Sequence, residues 1–205
     1  MILASASQRR RQLLEEAGFN FKVVVSQIDE GAFPAEGATP VDYAKQLALA
    51  KAEDIAGRFP DCLVIGADTV VDFDGKIIGK PADAKDAERI TRMLFSRPHK
   101  VITGVAIVCK TSDASLKPEK TRPGWPRHVE IVEAETTVVY PKKLTDIQIA
   151  EHIKSGTWRD KAGAYAIQEM NEDPFVDHID GSLTNVIGLP MELLENLIGR
   201  IRRDT

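Results

Sequence analysis

An acid cuts off one of the two longest apolar stretches of this chain. Cys62 to Ala67 is an unbroken apolar run, and Val70-Val71 resumes it after Asp68-Thr69. Cys62 to Ile65, continuously apolar, reads as a buried strand. A carboxylate held in such a run must be paired, hydrogen-bonded or metal-bound, because burying it alone opposes folding. The plain structural alternative is an Asp at a strand bend over Gly66 to Thr69. Val70 to Phe73 and Lys76 to Ile78 then flank Asp74-Gly75, the signal of a two-residue hairpin turn. With that turn as centre, residue 73 faces 76 and residue 69 faces 80. Thr69 and Lys80 are therefore expected to meet at the open end of the hairpin, beside Asp68. Strict alternation puts Asp68 and Lys80 on opposite faces unless Gly79 introduces a bulge.

Around this segment, start and stop signals outline a mixed architecture. Met1 to Ser5 reads as a strand, and Ser7 caps a helix through Glu16 with Gly18 as its stop. Phe21 to Ser26 reads as a strand and 31–38 as a loop. Thr39-Pro40-Val41-Asp42 starts a helix running to about Gly57. Asp83 caps a helix to about Phe95. Val101 to Cys109 and Val129 to Tyr140 are strands joined by a polar excursion, 111–128, with Pro118, Pro123 and Pro126. Thr145-x-x-Gln148 is a capping box for a helix ending at Ser155-Gly156. Ala164 to Gln168 and Phe175 to Ile179 are expected as short strands, and Pro190 starts a closing helix to Ile201. Strands and helices mix without strict alternation, which predicts an α/β or α+β mixed sheet.

Composition narrows the function classes. The chain has 205 residues, with 27 Lys+Arg against 31 Asp+Glu and a net charge of −4. That length suits one domain, bilobed at most, or two very small ones, and a core that needs no disulfide or metal staple. The mildly acidic balance argues against non-specific nucleic-acid binding. The longest apolar stretches fall well short of the ~18 residues of a spanning helix, so no membrane partner is expected. The N-terminus lacks the pattern of a secretory signal. Cys62 and Cys109 stand singly in apolar runs, as expected of buried reduced thiols in a cytosolic protein. His99, His128, His152 and His178 lie far apart and form no zinc-ligand spacing.

Three further features resist a purely structural account. Ser5-Ala6-Ser7-Gln8-Arg9-Arg10-Arg11 loads a helix N-terminus with cations, where the helix dipole favours anions. It is either a solvated basic turn or an anion site of backbone N–H groups, hydroxyls and guanidinium forks. Lys51 falls on the apolar face of its helix with Ala44, Leu47, Ala48 and Ile55. It either snorkels past the core edge or points into a cleft whose anion compensates it. Asp160 to Gln168 is rich in small residues with polar ends, suited to close approach of a ligand. Together these segments suit a polyphosphate with a bridging divalent cation.

At this point the chain resembles the Maf family of nucleoside triphosphate pyrophosphatases, from Leu3 to Leu194. The matching blocks are Leu3-Ala4-Ser5-Ala6-Ser7-x-Arg9-Arg10, Asp29-Glu30, Ala50-Lys51-Ala52, Gly66-Ala67-Asp68-Thr69, Gly79-Lys80-Pro81, His99 to Val105, Asp160 to Gln168 and Asn185 to Pro190. The resemblance implies a single two-lobed α/β domain with a mixed twisted sheet, flanking helices and a deep central cleft. It implies a cytoplasmic homodimer that cleaves a nucleoside triphosphate to monophosphate and pyrophosphate with a divalent cation, Mg²⁺ or Mn²⁺. Carried over by motif position, Asp68 is the catalytic acid–base residue, and Ser7, Arg10, Lys51 and Lys80 hold phosphates. Glu30 joins Asp68 near the metal. Arg9, Thr69 and Gln168 match the specificity positions of the dTTP/UTP branch rather than the 7-methyl-GTP branch. Gln8 replaces the family's usual proline, Glu169 replaces its glycine, and the 111–128 excursion is longer than usual. The competing reading is a non-catalytic nucleotide-binding regulator of septum formation. The retained charged set, with its unpaired acid, favours the enzyme.

Overall fold

The computed structural model describes residues 1–110, 128–159, 161–165, 167 and 174–203. Gln168 and 111–127 of the expected surface excursion lie outside the described residues.

The strands β1 (Ile2–Leu3), β2 (Lys22–Val23), β3 (Val64–Phe73), β4 (Lys76–Ile78), β5 (His99–Cys109), β6 (Val129–Pro141) and β7 (Val176–Asp180) form one sheet. Its order is β2-β1-β3-β5-β6-β7, with β4 paired to β3 off that path. β2, β1 and β3 run parallel, and β3, β5, β6 and β7 run antiparallel. The protein is therefore a mixed α/β fold, as expected. The possible bend at Gly66 to Thr69 is absent. β3 runs straight through Asp68, because Asp68 pairs with Gly104 and Thr69 with Thr103 in an unbroken ladder to β5.

The other edge of β3 is interrupted. β1 pairs with Val64 and Ile65, and β4 pairs with Val71 to Phe73. Between them Gly66 to Val70 have no strand partner on that edge among the described residues. The hairpin turn is as expected, with Asp74 at φ 55° and Gly75 at φ 78° and Phe73 facing Lys76. The ladder nevertheless stops at Val71–Ile78. Gly79 gives its carbonyl to Gly163 N (3.2 Å) instead, and Pro81 has no N–H to offer. Thr69 and Lys80 therefore do not pair, which corrects the expected meeting at the hairpin mouth.

The helices are α1 (Gln8–Glu16), α2 (Pro40–Arg58), α3 (Ala84–Leu94), α4 (Asp146–Ser155), α5 (Leu183–Ile187) and α6 (Met191–Arg203). Ser7, Thr39 and Asp83 cap the first three, and Thr145 with Gln148 forms the full capping box. α2 covers one face of the sheet with Ala44, Ala48, Ala52 and Ala56, all fully buried. The approach is so close that a Cβ on Gly66 would stand 2.2 Å from Ala48 O. One on Gly104 would stand 2.3 Å from Ala44 O. Strand alternation sends Val64, Gly66, Asp68 and Val70 toward α2 and Ile65, Ala67, Thr69 and Val71 to the opposite face. There α1 and α6 pack over Leu3, Ile65 and Ile107, while α3 packs with Val71, Val101 and Tyr165.

The strand expected from Ala164 does not start there. Ala162–Ala164 is a 3₁₀ turn in which Gly163 (φ 74°) and Ala164 (φ 62°) are left-handed. Two buried histidines hold it, His152 Nε2 at 2.8 Å from Ala164 O and His99 Nε2 at 2.6 Å from Tyr165 OH.

Candidate active site

α2 and β3 bring an ammonium and a carboxylate together inside the sheet–helix interface. Lys51 Nζ lies 2.6 Å from Asp68 Oδ1 and 2.7 Å from Glu30 Oε1. Side-chain exposure is only 12% for both Lys51 and Asp68, against 44% for Glu30. Lys51 thus sits on the apolar face of α2 because two acids compensate it there. Glu30 opens a 3₁₀ turn (Glu30–Ala32) capped by Asp29, whose Oδ1 accepts from Gly31 N. Burial pushes the Glu30 carboxyl up, but the Lys51 hydrogen bond and charge outweigh it. With help from Lys80 and Arg10, they hold it below its ordinary value. Lys80 Nζ is 3.9 Å from Glu30 Oε2 and more than half exposed. The partner of Asp68 is therefore Lys51, and Lys80 belongs to the Glu30 side of the cluster.

Arg10 is built into the floor of the gap. Ile65 O accepts Ala4 N from β1, and the next outward carbonyl, Ala67 O, accepts Arg10 Nη1 at 2.9 Å. The guanidinium so continues the ladder where β1 ends. It also donates to Ser5 Oγ (3.2 Å), Thr69 Oγ1 (3.0 Å) and Gly188 O (2.7 Å). These bonds leave one of its five N–H groups free of protein partners among the described residues. Burial lowers its pKa, as does the neighbouring Arg9 charge, and the Asp68 and Glu30 charges offset only part of this. Arg9, half-buried, makes no hydrogen bond or ion pair among the described residues. Burial lowers its pKa as well. Ser7 Oγ accepts from Arg10 N (3.4 Å), leaving its own hydrogen available.

The structure therefore joins Glu30, Lys51, Asp68 and Lys80 in one charged cluster. Arg10 and Thr69 lie on the other face of β3, linked to each other. Gln168 lies outside the described residues. Sequence reasoning missed Tyr43, two helical turns before Lys51 on the same face of α2. Burial raises its phenol pKa, as do the Asp68 and Glu30 charges against an opposing Lys51. The i, i+4, i+8 spacing of Tyr43, Leu47 and Lys51 was the available signal. No group of three or more His, Cys, Asp or Glu side chains suited to a metal ion occurs among the described residues.

Fold and site together define a class: a mixed α/β protein in which basic and acidic side chains from α1, α2, the Glu30 turn and the segment after β4 gather beside Asp68 and Thr69, where one edge of β3 is interrupted. The Maf-like protein family model matches residues 1–201, and the chain belongs to that family. A dTTP/UTP pyrophosphatase of Geotalea uraniireducens is 44% identical over 191 residues, covering 93% of this chain and 89% of that protein. One of Geobacter metallireducens is 43% identical over 198 residues, covering 96% and 94%. Among solved structures, the Staphylococcus aureus Ham1 protein superposes with a TM-score of 0.53 over 100% of this chain and 98% of that one. At 11% identity, that likeness concerns the fold alone.

Proposed function

We infer that this chain is a nucleoside triphosphate pyrophosphatase that converts dTTP and UTP to the monophosphate and pyrophosphate. The observation that carries this reading is the convergence of Glu30 and Asp68 on Lys51 where one edge of β3 has no strand partner among the described residues. Relatives named for that activity match over most of the chain. Ser7, Lys51, Lys80 and the remaining N–H of Arg10 hold phosphate oxygens, each as donor to an anion. Asp68 accepts a proton from water as the water oxygen attacks the α-phosphorus. The bond from that phosphorus to the bridging oxygen breaks, and pyrophosphate leaves with the electron pair. Arg9, Thr69 and Gln168 are assigned the selection of the base.

A hard divalent cation fits this donor set. Two carboxylates already converge on one positive centre, all their donors are oxygen, and one or two carboxylates plus substrate phosphates is the usual Mg²⁺ environment. Glu30 and Asp68 would hold it, and when bound it neutralises charge on the phosphates. The working form is proposed as a cytoplasmic homodimer. No helix among the described residues is long and apolar enough to cross a membrane. Pyrophosphate release measured across the eight common ribo- and deoxyribonucleoside triphosphates tests the reading. Turnover of dTTP and UTP well above the others is expected, and none with any triphosphate overturns it.

A further inference from the structure

The hydroxyl of Thr69 is wired in one direction. Thr103, fully buried, has a single hydroxyl hydrogen, and its Oγ1 lies 3.0 Å from the backbone carbonyl of Asn185. A carbonyl only accepts, so that hydrogen goes to Asn185. Asn185 cannot turn away. Its Nδ2 donates to Val101 O (3.0 Å) and Thr137 Oγ1 (2.9 Å), and its side chain is wholly buried. Thr69 Oγ1 and Thr103 Oγ1 are 2.9 Å apart. With the Thr103 hydrogen committed, Thr69 must be the donor of that bond. On its other side Thr69 Oγ1 accepts from Arg10 Nη2 at 3.0 Å. The chain Arg10 → Thr69 → Thr103 → Asn185 O thus runs one way, each bond polarising the next.

A hydroxyl offers one hydrogen and two lone pairs. Among the described residues, the hydrogen of Thr69 and one of its lone pairs are used. What remains is a single acceptor site on a half-buried side chain, next to Asp68 in the stretch of β3 whose outer edge has no strand partner among the described residues. We propose that this site reads the N3–H of uracil and thymine, and that Thr103 is the positioning residue that makes Thr69 an acceptor. The proposal rests on the dTTP/UTP reading above. Cytosine carries a lone pair at N3, so two acceptors would face each other with no hydrogen between them. A site built on such a bond discriminates by orders of magnitude, because the wrong base leaves buried polar groups unpaired.

The test pairs two variants with two substrate analogues. Thr103→Val removes the acceptor and frees the Thr69 hydrogen to turn toward the base. The kcat/KM for UTP is expected to fall while that for CTP rises, shrinking their ratio by ~10-fold or more. Thr103→Ser keeps the hydroxyl and the ratio. A merely structural role for Thr103 would lower both substrates together, and that outcome, or an unchanged ratio, overturns the proposal. Should Thr103→Val not fold, the wild-type enzyme decides through N3-methyl-UTP and 3′-deoxy-UTP. Loss with the N3-methyl compound and retention with the 3′-deoxy compound supports the assignment. Equal turnover of UTP and N3-methyl-UTP overturns it, as does loss confined to the 3′-deoxy compound, which would move the contact to the sugar. Absence of pyrophosphate release from UTP by the wild type removes the proposed function itself. UTP cleavage without base discrimination removes only this inference.

Discussion

Lys51 and Asp68 meet at 2.6 Å across the contact between α2 and β3, both largely shielded from water. An ion pair so enclosed is stable only while its charges stay balanced. Here a third charge, Glu30, shares the same ammonium at 2.7 Å and remains partly open to solvent. The cluster as drawn by these three carries one excess negative charge, which suits it to receive a cation together with a polyanion.

Asp68→Asn keeps the shape of the side chain and removes its basicity. A loss of general-base catalysis costs ~10²–10⁴-fold. We expect kcat to fall by that order, with an unchanged circular dichroism spectrum, in a continuous pyrophosphate-release assay. Retention of more than about a tenth of the wild-type rate removes Asp68 from the role of base.

Lys51→Met leaves Glu30 and Asp68 facing each other without their ammonium. Breaking a buried pair from one side costs ~3 kcal/mol at the low end of its range, the end that applies where one acid is half-exposed. Urea denaturation is expected to register this loss. Added Mg²⁺ should restore more stability to the variant than it adds to the wild type, since the vacated carboxylates remain hard oxygen donors. Equal Mg²⁺ effects on both proteins would count against the two acids as metal ligands.

Exhaustive chelation is expected to stop pyrophosphate release, and Mg²⁺ or Mn²⁺ to restore it. Zn²⁺ should not substitute well, because the site offers the carboxylates of Glu30 and Asp68 and, among the described residues, no Cys or His set. Full activity in the chelated enzyme sinks the metal assignment.

His99 sets an acid limit on stability. Burial lowers its pKa from 6.5 to about 4, despite opposing backbone hydrogen bonds at Arg97 and Leu94. The unfolded chain therefore takes up the proton first. Stability from this residue is complete above pH 6.5 and declines as the pH falls toward about 4, by ~3 kcal/mol at most. Denaturant midpoints of wild type and His99→Gln across that window should converge at the acid end. Parallel curves would refute the assignment.

Much of the frame was readable from local chemistry. Thr39-Pro40 and Thr145-x-x-Gln148 mark helix starts because capping is settled within four residues. Lys51 stood out because a lysine on an apolar stripe needs a reason. The errors share a cause in long-range partners. The hairpin register, carried two pairs too far, put Lys80 beside Thr69, whereas Gly79 O is claimed by Gly163, far along the chain. Nothing local announces that Ala164 is left-handed, since its fit depends on His152 capturing its carbonyl. Nor does Arg10 advertise that most of its donors are spent on Ala67, Gly188 and two hydroxyls of the fold.

Gly66 and Gly104 carry no side chain of their own, yet the backbone of α2 rests directly on both. Each is a spacer one hydrogen atom thick. A methyl group at either would lift the helix by roughly an ångström, given the 3.0 Å below which real Cβ contacts essentially never occur. Lys51 would rise with it, away from Asp68. In a saturation screen scored by activity, these two positions should therefore behave like members of the catalytic set. Their intolerance would measure how finely helix height, rather than any side chain, tunes the chemistry.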